Sequence, residues 1–289
     1  MTAKQALAAA SKKLQNSGIT SAGLDAEVIL SFVLKKPREF LYAHGEKKLT
    51  DKQRQAFSKL ISRRTRHEPV AYLTGNKEFF GLRFKVNKNV LIPRPETELL
   101  VEEAIAYCQK PPRSQKPILV DVGTGSGCIA VALKKSLPQA QILALDISSK
   151  ALKIASLNAE INKVKIEFFK SDLLKNVGNK KIDVIVANLP YLDDKEKNLR
   201  LEKNQQAHRH SLDFEPKLAL AGGKFGLELS DKLFQQIKKM AHQPRAIFCE
   251  IGHAYPQETK KLAQKYFPDS KIEIKKDLAG LNRILEIVD

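Results

Sequence analysis

Apolar positions fall at helical spacing through residues 1–68. Leu7, Ala10 and Leu14 share one face, an apolar stretch over 28–34 stops before Pro37, and a later helix carries Phe57, Leu60 and Ile61. Thr50 and Gln53 have the spacing of a capping box at the start of that helix. The helix runs into Arg63, Arg64 and Arg66 before Pro69, a basic end that the helix dipole favours whether or not a partner touches it. The period then changes. Leu82, Phe84 and Val86 alternate after the turn residues Gly75, Asn76 and Gly81, which predicts a β-hairpin. Pro93 and Pro95 stiffen the approach to a helix over 96–108, and Pro111 and Pro112 close it.

Beyond residue 117 short apolar runs alternate with helical stretches. The runs at 118–122, 142–145, 166–169, 182–187 and 246–251 read as buried parallel strands. The runs at 271–274 and 283–287 are separated by a short loop holding Gly280, with no room for a crossover helix, so they should pair antiparallel. The pattern predicts an α/β, seven-stranded Rossmann-like domain over 93–289, preceded by a small helical domain over 1–70 and a hairpin linker over 71–92. There is no internal repeat and no low-complexity segment.

A length of 289 residues accommodates these two domains. The formal charge of +18 fits an anionic partner such as RNA, a ribonucleoprotein or an acidic protein, and fits equally a lysine-rich, solvated exterior. Cys108, Cys128 and Cys249 form no C-x-x-C pattern, which argues against a disulfide framework or a zinc site and suits a reducing cytoplasm. The six histidines show no metal spacing, and His208 and His210 read as surface residues in a polar loop; no metal is expected. No apolar run approaches the roughly 18 residues of a membrane span. The first fourteen residues lack a secretory apolar core. They also lack acidic residues, as a transit peptide would, but their helical spacing favours a folded helix.

The segment from Asp121 to Gly127 follows the first strand directly and opens a helix. Its glycines allow tight turns and close ligand approach at the carboxyl edge of the sheet. Asp121, Gly123, Thr124, Gly125 and Gly127 are the candidate ligand residues. The G-x-G-x-G spacing, with an acidic residue two places ahead, departs from the dinucleotide pattern and suits a zwitterionic amino-acid group better than a pyrophosphate. Asp146 ends the second strand, where a carboxylate can accept from both hydroxyls of a ribose. After the third strand, Asp172 can accept from an adenine amino group while Leu173 lies against the ring. Each Asp alone is as well explained as a helix N-cap; their succession after three strands favours a nucleoside site.

The fourth strand ends in Asn188, Leu189, Pro190 and Tyr191, which bring a side-chain amide, a backbone carbonyl and an aromatic ring to the same sheet edge. An amide nitrogen is a poor nucleophile because its lone pair is delocalised. The Asn188 Oδ1 and the Leu189 carbonyl can hold its two hydrogens while Tyr191 packs on the plane, so that alignment supplies most of the acceleration. Read alone, the tetrapeptide is a common turn; its place after the fourth strand makes it a candidate reacting-group site. Glu250 ends the fifth strand and either lines the site or is an exposed strand end.

These motifs, with residues 68–75, 91–98, 215–216 and 218–223, resemble the bacterial protein-(glutamine-N5) methyltransferases that modify peptide chain release factors. The resemblance covers nearly the whole chain. It implies a class I methyltransferase domain using S-adenosylmethionine, a helical domain that helps hold the release factor, and, as acceptor, the glutamine of a Gly-Gly-Gln loop fixed by Asn188 and adjacent backbone. It also implies that the segment Pro93, Arg94 and Pro95 passes near the site. A monomer in the cytoplasm, close to the ribosome and its RNA and away from membranes, is expected. One departure stands out: the family usually has Asn-Pro-Pro-Tyr, and this chain has Leu189 in place of the first proline. Leu keeps the carbonyl, and the following Pro190 biases it toward an extended backbone, so a modest loss of preorganisation is expected. Competing readings are glutamine methylation of a ribosomal protein, amino-group methylation of rRNA or DNA, and an inactive RNA- or ribosome-binding protein.

Overall fold

The computed structural model describes residues 1–111, 116–193 and 212–289. Pro112, His208 and His210 lie outside the described residues. The chain divides into two compact units, one comprising Met1–Asn76 and a segment ending at Glu215, the other beginning at Lys77 and including Pro216–Asp289.

The first unit is helical: α1 (Ala3–Asn16), α2 (Ala22–Leu34), α3 (Arg38–Ala43), α4 (Asp51–Arg64) and α5 (Val70–Thr74). Both long outer helices start with reciprocal capping boxes, Thr2 with Gln5 and Thr50 with Gln53, so the orphan amides of the first turn are satisfied. Leu14, Ile29, Leu30, Phe57 and Ile61 meet in its core, and full burial of each such side chain contributes about 2 kcal/mol. What ends α2 is a left-handed Lys35 (φ 53°), whose N–H bonds back to Ser31 and Phe32, two residues before Pro37. The arginine cluster has a structural role at two positions: Arg63 pairs with Glu68, and Arg64 Nε donates to Asp25 Oδ2 at 2.7 Å. Pairing satisfies the buried Asp25, which is 7% exposed and would be costly alone.

The predicted hairpin, β1 (Asn76–Phe79) and β2 (Leu82–Lys85), follows, all of it but Asn76 in the second unit. Its two-residue turn places both Phe80 (φ 53°) and Gly81 (φ 68°) at positive φ, which matches the twist of the strands. Glu98 Oε1 accepts from the Phe80 amide at 2.7 Å and so holds the strained turn. After α6 (Thr97–Gln109) come β3 (Ile118–Val122), α7 (Cys128–Ser136), β4 (Gln141–Asp146), α8 (Ser149–Ile161), β5 (Glu167–Lys170), β6 (Val184–Ala187), β7 (Leu192–Asp193), β8 (Ala221–Gly223), α9 (Glu228–Lys238), β9 (Ala246–Glu250), α10 (Pro256–Tyr266), β10 (Lys271–Lys276) and β11 (Asn282–Val288).

Seven strands form one sheet in the order β10-β11-β9-β6-β3-β4-β5. The strands β9, β6, β3, β4 and β5 run parallel, and β11 pairs antiparallel with β9 and with β10, the latter as the short Gly280 loop requires. Both faces are covered over β9, β6, β3 and β4, which is why these strands read as continuous apolar runs; β5, read from the sequence as a buried strand, is only partly buried because it is the edge strand. Leu119, Ile142, Ala144, Val186 and Phe248 pack with α6 and α7 residues on one face. Val120, Leu143, Ile185 and Cys249 pack with Leu233, Phe234 and Ala263 of α9 and α10 on the other. The strand order reverses direction between β3 and β6, and the crevice at such a switch point is where α/β sheets bind ligands. Two features escaped the sequence pattern: the short helix α5 (Val70–Thr74) opens the segment read as a hairpin linker, and β7 and β8 form a separate two-stranded parallel pair beside this edge. Strands of two and three residues carry no readable period.

Candidate functional site

The glycine loop leaves β3 at that switch point, and its own backbone shows what it can bind. The amides of Gly123 and Thr124 both donate to the Leu145 carbonyl at 2.8 Å, Gly125 donates to Asp146 Oδ2 at 2.9 Å, and Gly127 donates to the Thr124 carbonyl. These four donors are consumed internally, which leaves fewer free amides for a pyrophosphate than such a loop would need to offer. What it offers instead are acceptors. Asp121 is fully buried; its Oδ2 accepts from Thr124 Oγ1 at 2.6 Å and from the Ala130 amide at 3.2 Å, while Oδ1 has no hydrogen-bond partner among the described residues. Burial pushes this carboxyl up to about 7. An unpartnered buried carboxylate oxygen calls for a cationic or protonated donor.

Asp146 stands at the end of β4, accepting from Ser148 N on Oδ1 and Gly125 N on Oδ2. Burial raises its pKa, against the pull of these amides. It does not cap α8; Ser148 does, accepting from Ala151 N. Ile147 follows it with an apolar side chain that is 55% exposed. Asp172 lies after β5 and starts no helix either. Its carboxylate pairs with Lys175 at 2.8 Å and with Lys232 of α9 at 2.8 Å, which hold its pKa below the usual range. Leu173 is buried beside it at positive φ. The N-cap explanation therefore fails for both acids.

Gly127 has a packing reason of its own. It sits at φ 80°, and a Cβ there would lie 3.0 Å from Ala155 of α8. Asn158 of the same helix binds the loop through Ser126 O (2.8 Å) and strand β2 through Lys85 N (2.7 Å) and O (2.9 Å).

Beside this loop, β6 ends in the Asn188 tetrapeptide. Leu189 is buried, and its Cδ2 would lie 3.2 Å from a Cβ at Gly123, so the two loops are in contact. Asn188 Nδ2 donates to Thr97 Oγ1 at 3.1 Å, Thr97 Oγ1 donates to Glu250 Oε2 at 2.6 Å, and the Tyr191 hydroxyl donates to Glu250 Oε1 at 3.0 Å. Glu250 is 4% exposed, which overturns its reading as an exposed strand end. Burial raises the pKa of Glu250 and that of Tyr191. Glycines frame Tyr191 tightly: a Cβ at Gly222 would lie 2.6 Å from its Cα, one at Gly226 would clash with its carbonyl oxygen, and one at Gly252 would touch Cδ2 of the ring at 3.4 Å.

Thr97 and Ile147 were not assigned roles by the sequence pattern, and of the two alternatives for Glu250 the one that lines the site holds. Thr97 lies inside the 91–98 segment that carried the family resemblance, which was the available signal. Arg94 of that segment acts on the site by charge, opposing in small part the burial that raises the Tyr191 pKa. Among the described residues no group of three His, Cys, Asp or Glu residues is placed to hold a metal ion, and no helix is long and apolar enough to cross a membrane.

Residues 5–75 match the family model of the PrmC N-terminal domain, and residues 97–215 match that of the methyltransferase small domain. A release factor glutamine methyltransferase of Koribacter versatilis is 35% identical over 99% of this chain and 98% of its own length. One of Coxiella burnetii is 36% identical over 91% of this chain and 90% of its own. Among solved structures, the human Mettl16 catalytic domain in complex with a MAT2A 3′UTR hairpin superposes with a TM-score of 0.57 over 78% of this chain and 81% of that one, at 18% identity, a likeness of fold alone.

Proposed function

The chain belongs to the release factor glutamine methyltransferase family, and from that premise we propose that it transfers a methyl group from S-adenosylmethionine to the side-chain amide nitrogen, N5, of the glutamine in the Gly-Gly-Gln loop of peptide chain release factors. Its sheet is that of an α/β Rossmann-like class I methyltransferase. The observation that carries the reading is the contact of the Asn188 loop with the glycine loop at one switch point, with the Asn188 amide nitrogen already committed to Thr97.

The residues of the glycine loop fit the cofactor chemically. S-adenosylmethionine, when bound, supplies an electrophilic methyl on a sulfonium, together with an ammonium, a ribose diol and an adenine. The orphaned Asp121 Oδ1 suits the ammonium, and the spare lone pairs of Asp146 suit the diol. Gly123, Thr124, Gly125 and Gly127 shape the loop between them. Ile147 and Leu173 supply apolar surface for the base, and Asp172, kept ionised by Lys175 and Lys232, accepts from its amino group.

Toward the acceptor, Asn188 Oδ1 takes one hydrogen of the glutamine amide and the Leu189 carbonyl the other. The nitrogen lone pair then faces the incoming methyl, Pro190 fixes the turn, and Tyr191 flanks the amide plane. No strong base is needed, because the nitrogen loses its extra proton readily to water once the new N–C bond has formed; alignment is the main contribution, with effective molarities of about 10⁵ M or more available to such preorganised pairs. The helical unit is read as a holder for the release factor, and the protein as a cytoplasmic monomer near the ribosome. Replacing Asn188 by Ala tests the site: methyl transfer should be lost while affinity for S-adenosylhomocysteine stays close to that of the wild type. Undiminished turnover would remove Asn188 from the mechanism.

A further inference from the structure

Thr97, Asn188, Tyr191 and Glu250 come from three distant segments and join in one hydrogen-bonded chain, with Thr97 and Glu250 only 2% and 4% exposed. The logic of the chain is fixed by counting hydrogens. An ionised carboxylate only accepts, so Glu250 takes the single hydrogen of the Thr97 hydroxyl and that of the Tyr191 hydroxyl. Having given its hydrogen away, Thr97 Oγ1 can only accept from Asn188, and only Nδ2 can donate. The two ends of an amide have nearly the same shape, so this bond alone decides which of them is turned to the acceptor.

We propose that Glu250 and Thr97 are positioning residues that fix the orientation of the Asn188 amide: the carboxylate holds Thr97 as a donor, Thr97 holds Asn188 Nδ2, and Oδ1 is thereby presented to the entering group as an acceptor. The consequence is specificity. A site that presents Oδ1 beside the Leu189 carbonyl welcomes an NH2 group and rejects a carboxylate or the carbonyl end of the same amide, because those would face acceptors with no hydrogen between them. This deepens the glutamine reading and rests on it.

The direction of the chain depends on the charge of Glu250. Arg283 of β11 favours the ionised form, as do the hydrogen bonds from Thr97 and Tyr191. Burial and the nearby Glu96 oppose it, and burial is the largest of these influences. Cys128 at the start of α7 also feels this charge and stays a neutral thiol, pushed up to about 12 chiefly by burial, and Arg94 acts on the neighbouring Tyr191. A proton on Glu250 would make it a donor to Thr97, release the Thr97 hydrogen toward Asn188, and let the amide turn its Nδ2 to the acceptor.

The test is methyl transfer to a release factor at saturating cofactor, measured from acid to neutral pH for the wild type, Thr97→Val, Thr97→Ser and Glu250→Gln, with S-adenosylhomocysteine affinity and thermal unfolding as controls. Thr97→Val keeps the shape and removes the hydroxyl. It should lower kcat by about 100-fold, the cost typical of a misaligned near-attack geometry, with S-adenosylhomocysteine affinity retained. Thr97→Ser should recover most of the loss. The wild type should lose activity toward acid pH with a limb that Glu250→Gln lacks. A wild type that methylates no release factor overturns the glutamine reading and this inference with it. A Thr97→Val variant that methylates it as well as the wild type overturns the inference alone. If Thr97→Val does not fold, the acid limb decides: its absence from Glu250→Gln supports the inference, and the same limb in both proteins overturns it.

Discussion

The Gly125 amide donates to Asp146 Oδ2 at 2.9 Å, so the tip of the glycine loop is tied to the end of the neighbouring strand before any ligand arrives. One carboxylate thus shapes the loop and, in the proposed site, keeps lone pairs for a ribose. Asp146→Ala removes both roles. Hydrogen bonds to a charged group contribute about 1.5–3 kcal/mol, so affinity for S-adenosylhomocysteine should fall about 10- to 100-fold in a calorimetric titration. Equal affinity would show that Asp146 serves the fold only.

Asp121 should make the free protein less stable as pH rises. Its folded pKa is raised by burial from 3.8 to about 7. Stability from this group is therefore complete below the unfolded value and is lost as pH passes upward through about 7, a swing of up to about 4 kcal/mol. Asp121→Asn can still accept from Thr124 and Ala130. It should raise the thermal midpoint at pH 8 relative to the wild type, remove this part of the pH dependence, and weaken cofactor binding. A wild-type midpoint that rises between pH 6 and pH 8, with the variant rising in parallel, would contradict the assignment.

Gly226 holds the acceptor loop by lacking a side chain. It sits at φ 68°, and a Cβ would clash with the Tyr191 carbonyl oxygen. Left-handed backbone alone costs about 1–2 kcal/mol for an L residue. Gly226→Ala should lower kcat by at least about 10-fold through displacement of Tyr191, since small misplacements at a reacting centre are expensive. Cofactor affinity, which the proposal assigns to the other loop, should change little. A kcat equal to that of the wild type would dissociate Tyr191 from catalysis.

Leu189→Pro restores the residue usual in the family and trades two effects. Proline removes backbone freedom worth about 0.4–1 kcal/mol where the conformation is compatible. It also gives up part of the contact that Leu189 Cδ2 makes above Gly123. The expected result is a kcat between unchanged and about five-fold higher, the rate equivalent of 1 kcal/mol. A large loss would mean that the Leu189 side chain, rather than its carbonyl, is what this loop requires.

The parts of the molecule written in local pattern were legible in the sequence. The continuous apolar runs announced the central strands because both faces of the sheet are covered, and the short Gly280 loop announced the antiparallel end because no crossover could fit there. Thr50 and Gln53 revealed a helix start that the structure closes with both bonds. What stayed hidden depends on distance. Thr97 and Glu250 are 153 residues apart and acquire meaning only when the fold joins them across the Asn188 loop. Glu250 at a strand end could be read as lining the site or as solvent-exposed, because burial of a charge is unusual without partners and its partners were invisible in sequence. The loop amides were likewise unreadable: spacing suggested that they do not serve a pyrophosphate, but only their bonds to Leu145 and Asp146 give the reason.

The central claim, transfer of a methyl group to a glutamine amide of a release factor, is tested most directly by incubating the protein with methyl-labelled cofactor and, in separate reactions, a release factor, the same factor with the Gly-Gly-Gln glutamine changed to glutamate, total ribosomes and DNA. Label should enter the unaltered release factor alone and be found on that glutamine. Label in the glutamate variant, in ribosomes or in DNA at a comparable rate, or in none of the four, would contradict it.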